Sequence, residues 1–71
     1  MTVWFAQNSS ANVDAANQWN DVAGGGGNVL TWANLDAGDI LAANGKTAIA
    51  INVDFTCLRI STAAEGGTAG G

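Results

Sequence analysis

Ile40-Leu41-Ala42-Ala43-Asn44-Gly45-Lys46-Thr47-Ala48-Ile49-Ala50-Ile51-Asn52-Val53-Asp54-Phe55 is the stretch that decides the fold. Asn44-Gly45 stands between two β-prone segments, and Asn-Gly supplies the positive backbone angles that a tight turn between strands requires. From Thr47 onward the alternation is strict. Ile49, Ile51, Val53 and Phe55 fall on one side of an extended chain, and Ala48, Ala50, Asn52 and Asp54 on the other. That is the period of a half-buried strand, and it makes those four apolar residues the expected core. Cys57 keeps the same phase, whereas Leu58 and Ile60 take the opposite one. A side-chain period of two slips only at a bulge or a corner, so the chain is expected to bend repeatedly. Two all-β architectures satisfy this pattern. Either Asn44-Gly45 closes a plain hairpin in a small β-sandwich, or it and Asn52-Val53-Asp54 are corners of a β-solenoid-like rung, with short strands between them.

Working outward, residues 2–6 form an apolar run with two aromatics, Trp4 and Phe5, that reads as a strand or an anchoring arm. Asn8-Ser9-Ser10 has the form of a glycosylation acceptor and reads as an ordinary polar turn. Residues 11–22 read as a loop or a short turn of helix, with Trp19 packed inward. Gly24-Gly25-Gly26-Gly27 then breaks the chain. A glycine run cradles phosphate when a strand precedes it and a helix follows; here Asn28-Val29-Leu30-Thr31-Trp32 follows and reads as extended, so a flexible surface loop is expected. Asp36-Ala37-Gly38-Asp39 reads as a turn. The resulting organisation is an N-terminal anchoring arm with a Gly-rich loop (1–27), a β-rich core (28–62) and a Gly-rich tail (63–71).

Composition restricts function further. A chain of 71 residues is one small domain, and a single core of that size supplies roughly 3–5 kcal/mol. Disulfides, structural zinc or association usually supplement so small a core. With one Cys and no His, the first two are excluded, so completion by oligomerisation is expected. The net charge is −4 and the only bases are Lys46 and Arg59. Neither phosphate backbones nor anionic membranes are bound by two isolated cations, and no apolar run spans a bilayer. The start lacks the basic region of a signal peptide, so assembly in a cytoplasm is expected. At 48% hydrophobic residues the chain is not a solvated tail; its small residues, Asn and Thr suit tightly stacked β-structure with sharp corners.

Catalytic, cofactor-binding and metal-ligating residues are not expected. Gly45-Lys46-Thr47 has the ending of a phosphate-binding loop, but the required preceding glycine falls on Ile40 and no helix follows. The pairs Asp36/Asp39 and Asp14/Asp21 read as solvated turn residues. Cys57 has no His to act as its base and reads as core. Lys46 and Arg59 read as charges that protect strand edges. Trp4, Phe5, Trp19 and Trp32 are the expected interface anchors, because aromatic residues concentrate binding energy; Trp4-Phe5 leads because a terminal segment frays unless something binds it.

The run Ala37-Gly38-Asp39-Ile40-Leu41-Ala42-Ala43-Asn44-Gly45-Lys46-Thr47, with Ile49, Ile51, Val53-Asp54-Phe55-Thr56 and Ile60-Ser61-Thr62, resembles bacteriophage virion proteins of the β-solenoid kind. The Trp4-Phe5-Ala6 start and the small-residue stretch Ser61-Thr62-Ala63-Ala64 look similar too. The resemblance covers most of residues 19–71 and rests on Gly-Asp and Asn-Gly-Lys motifs. It implies a non-enzymatic structural role in the virion, as a capsid decoration or head fibre, commonly trimeric, whose N-terminal part docks on other virion proteins. A tail spike or fibre base is the variant within the same class, and a carbohydrate-binding adhesin module the alternative outside it. No catalytic position carries over.

Overall fold

A computed structural model describes residues 1–61 of the chain. Its strands are β1 (Val3–Ala6), β2 (Trp19–Asn20), β3 (Ile40–Ala42) and β4 (Arg59–Ser61), joined in one mixed sheet of order β2-β1-β3-β4. A single 3₁₀ turn, Trp32–Asn34, interrupts the loops, and the described residues contain no α-helix. The chain is therefore a small all-β fold.

Strand β3 lies between two parallel neighbours. A strand enclosed on both faces wants apolar residues at every position, and Ile40, Leu41 and Ala42 are all buried. Val3 faces Ile40, which in turn faces Arg59. The same side-by-side course continues beyond the strands. Ser10 N–H donates to the Thr47 carbonyl at 2.9 Å, Ala50 N–H to Ala11 at 2.9 Å and Val13 N–H to Ala50 at 2.8 Å. Asn52 Nδ2 reaches Asp14 Oδ1 at 2.9 Å. Residues 39–52 thus run in parallel alongside residues 2–14. The connection from there to β4 takes only residues 53–58. The connection from the first segment to the second takes residues 15–38, and its additional length forms β2, which runs antiparallel along the edge of β1 that β3 leaves uncovered.

Residues 20–29 close a small hairpin, with Asn20 bridging Val29 and the Leu30 N–H on the Trp19 carbonyl at 2.8 Å. The glycine run is its tip, where Gly25 and Gly26 take φ of +81° and +87°, angles that suit only glycine without strain. This loop is held more firmly than its composition suggests: Asn20 Oδ1 accepts from Val22 N–H at 2.9 Å and Gly27 N–H at 3.1 Å.

The turn at Asn44-Gly45 forms, with φ of +56° and +73° and Lys46 N–H on the Ala43 carbonyl at 2.9 Å. The hairpin does not. After the turn the chain leaves the sheet and runs beside residues 10–13, so β3 pairs with β1 and β4 instead. The continuous strand expected over 47–55 is also absent, and Ala48 within it takes φ of +58°. Ile51 is 61% exposed, while Ile49, Val53 and Phe55 are half-buried against a core of Ala6, Val13, Trp19, Leu30 and Leu41. That core joins residues from both sides of the expected boundary at 27, so the anchoring arm and the β-rich segment are one unit. The tail 63–71 lies outside the described residues.

Gln18 is fully buried; its Nε2 donates to the Asn8 carbonyl at 2.8 Å, but its Oε1 meets no donor. An orphaned buried acceptor costs about 1–3 kcal/mol. Gln18→Met removes it and frees only the exposed Asn8 carbonyl to water. The expected result is a urea midpoint equal to or above that of the parent chain; a clear drop would show that Oε1 has a partner in solution.

Candidate functional site

Two of the four sequence-based anchors are inside. Phe5 is 6% exposed and Trp19 3%, so neither offers a surface to a partner. Strand β1 is an inner strand, not a free arm, because Val3-Trp4-Phe5-Ala6 can shed its apolar surface onto β3 and β2 within the chain. The Trp19 indole donates to the Val13 carbonyl at 2.7 Å. Trp32 is half-buried, edge-on to Phe55 with ring centres 5.2 Å apart. Trp4 is half-buried, and its Nε1 donates to Asp39 Oδ2 at 3.0 Å.

Asp39 corrects the solvated-turn expectation. Besides Trp4, its carboxylate accepts from Thr2 N–H at 2.9 Å and Asp36 N–H at 3.0 Å, and it is buried. Burial alone pushes the carboxyl up. The Trp4 indole, the two amides and the N-terminal charge outweigh that and hold it below the ordinary aspartate range. Burial, and after it the charge of Asp39, pushes the Cys57 thiol up, so it stays protonated and inert at neutral pH. Among the described residues, no three of His, Cys, Asp and Glu stand close enough to hold a metal ion.

What the surface does present is aliphatic. Ile51, Leu58 and Ile60 are 61%, 55% and 53% exposed. Ile51 and Ile60 form the divide between two hollows. One, of about 240 Å³, is floored by the buried Val13, Trp19 and Leu41 and has Lys46 on its lining. The other, of about 410 Å³, is shallower and follows Val53, Asp54, Phe55 and Cys57. Sequence reading assigned Ile51 to the core and Lys46 to a strand edge. The local signal against the first was the bending implied by the change of phase after Cys57, with candidate corners at Asn44-Gly45 and Asn52-Val53-Asp54, and neither marks Ile51 as exposed.

Phe55 is expected to matter less than a fully buried aromatic. Phe→Ala in a closed core costs about 3–5 kcal/mol; here the ring is half-buried and makes one edge contact with Trp32. Phe55→Ala should lower stability by about 1–2 kcal/mol, read by urea denaturation, with the fold retained. Complete unfolding would mean that the 53–57 segment closes the core more tightly than its exposure indicates.

Comparison of the chain with family models, curated proteins and solved structures finds no match.

Proposed function

We propose that this chain is a non-enzymatic structural protein of a bacteriophage virion: the attachment region of a head fibre or capsid decoration, built as the leading turns of a β-solenoid-like stack. The observation that carries the reading is the parallel course of residues 2–14 and 39–52, continued by β3 on β4. Stacked coils of this type bury their faces only against neighbours in the stack, and β2 across the far edge of β1 suits the role of an end cap. With Phe5 and Trp19 inside the fold, docking on other virion proteins falls to the aliphatic face of Ile51, Leu58 and Ile60. A homotrimer is a closed way to cover such a face. The protein would be assembled in the host cytoplasm and reside in the virion.

A tail spike or fibre base needs the same physics and differs only in location. The adhesin alternative needs exposed tryptophan rings. Trp19 is enclosed, Trp4 is tied to Asp39 and Trp32 packs on Phe55, so no observation favours it.

Purified virus particles from the source of this sequence, digested and analysed by mass spectrometry, should contain its peptides in fixed ratio to the major capsid protein. Native mass spectrometry of the released protein should then show threefold stoichiometry. Recovery of the chain only from the soluble fraction of cells, with none in particles, would overturn the reading.

A further inference from the structure

We propose that the hollow beside Lys46 is a binding site for a small amphipathic carboxylate, with its apolar tail on Trp19 and Leu41 and its carboxylate on the Lys46 ammonium. The inference does not rest on the virion reading: binding would be a property of the isolated chain, and an assembly that covers Ile51 and Ile60 would compete with the ligand for that rim.

Three features carry it. The floor is apolar: Val13, Trp19 and Leu41 belong to the buried core, and the walls come from the largely exposed 46–51 segment and Ile60. The Trp19 indole N–H is already spent on the Val13 carbonyl, so the floor asks for no polar partner. Its size is that of a short chain. An apolar cavity of about 150 Å³ holds a benzene ring, so about 240 Å³ takes a tail of roughly eight heavy atoms. Finally, among the described residues the lining is charged at one point: Lys46 is the ionisable residue there, and no described carboxylate pairs with it. A lysine lining an apolar hollow, with no described carboxylate beside it, favours an anion over a cation with the same tail. Ile51 and Ile60, exposed on the rim, gain cover when the tail enters.

The shallower hollow shares that rim, but its charged lining residue is Asp54, which repels the same ligand. The two therefore differ in sign, and binding should be confined to the Lys46 side.

The test is a titration of the full chain, followed by amide NMR shifts, with octanoate, 1-octanol and octylammonium below their aggregation limits. Octanoate should give saturable shifts at Lys46, Ile51 and Ile60 and bind about tenfold more tightly than 1-octanol, the value of one charge-assisted contact at a partly exposed site; octylammonium should be weakest. Lys46→Gln should bring octanoate down to 1-octanol and leave 1-octanol unchanged, a pattern that a folding defect would not give. Equal affinity for all three ligands, or saturable shifts on the Asp54 side instead, would overturn the proposal. The titration is run at a dilution where the ligand-free spectrum does not change with protein concentration, so that self-association over the same rim is not read as ligand binding.

Discussion

Leu41→Ala should abolish the cooperative unfolding transition of this chain at room temperature. Leu41 has no exposed surface, stands at the centre of β3 and packs with Ala6, Val13, Trp19 and Leu30. Its neighbours in register are Trp4 of β1 and Ile60 of β4, so one side chain links three strands to the core. Leu→Ala at such a site costs about 2–5 kcal/mol from lost transfer and the cavity left behind. One core of this size supplies roughly 3–5 kcal/mol altogether, so the loss is of the same order as the whole stability. Urea titration followed by circular dichroism should show a sloping signal with no transition. Leu41→Met, which conserves volume, should cost under about 1.5 kcal/mol and keep the transition. An Ala variant as stable as the parent would mean that β3 is not the inner strand.

The second large effect is at Asp39. Removing its carboxylate strands three donors at once, the Trp4 indole and the amides of Thr2 and Asp36. The donors are part-buried, Asp36 being exposed, and stranding a buried donor costs about 1–3 kcal/mol, so Asp39→Leu is expected to cost about 1–3 kcal/mol in all. Asp39→Asn keeps one acceptor oxygen but turns an amide N–H₂ toward donors, and should cost less. The pH dependence identifies the cause. The folded carboxyl titrates below its unfolded value, so the unfolded chain takes up its proton first as acid is added. The stabilisation is therefore complete above the ordinary aspartate value of about 3.9 and is lost as pH falls through the depressed folded value. Urea midpoints of the parent chain and Asp39→Asn should differ most near neutral pH and converge below pH 4. A constant gap down to the acid limit would assign the effect to packing instead of charge.

These two residues also mark what the sequence discloses and what it hides. Ile40-Leu41-Ala42 reads as buried because no polar residue interrupts it, and Asn44-Gly45 reads as a turn because Asn and Gly tolerate the left-handed angles they adopt. All-β character follows from both. Ala48 also takes a positive φ, yet alanine carries no local mark of that geometry, so a continuous strand runs through it on paper and not in the fold. Ile51 drops out of the expected core, while Ile49, Val53 and Phe55 stay packed against the observed one. Asp39 reads as a solvated turn residue because its partners Thr2 and Trp4 lie far away in sequence. Only the parallel pairing of β1 with β3 brings them together. Lys46 is overlooked for the same reason: nothing adjacent to it foretells that Trp19 and Ile60 line the same hollow. Local chemistry thus reports turns and continuous apolar runs, and tertiary pairing decides the rest.

The parallel pairing has a consequence for the order in which the chain is made. Strand β1 is complete once residue 6 leaves the ribosome, but its neighbour β3 ends only at residue 42. At roughly 5–20 residues per second of translation, Val3-Trp4-Phe5-Ala6 waits roughly two to seven seconds for that partner. Its first cover is β2, ending at residue 20, which can shield one edge while the other stays available. Non-local parallel pairing is slow to form in any case. A nascent chain of this sequence therefore spends its early life with an aromatic strand half covered, and slower translation through residues 20–42 would lengthen the interval in which crowded ribosomes can join their chains by that strand.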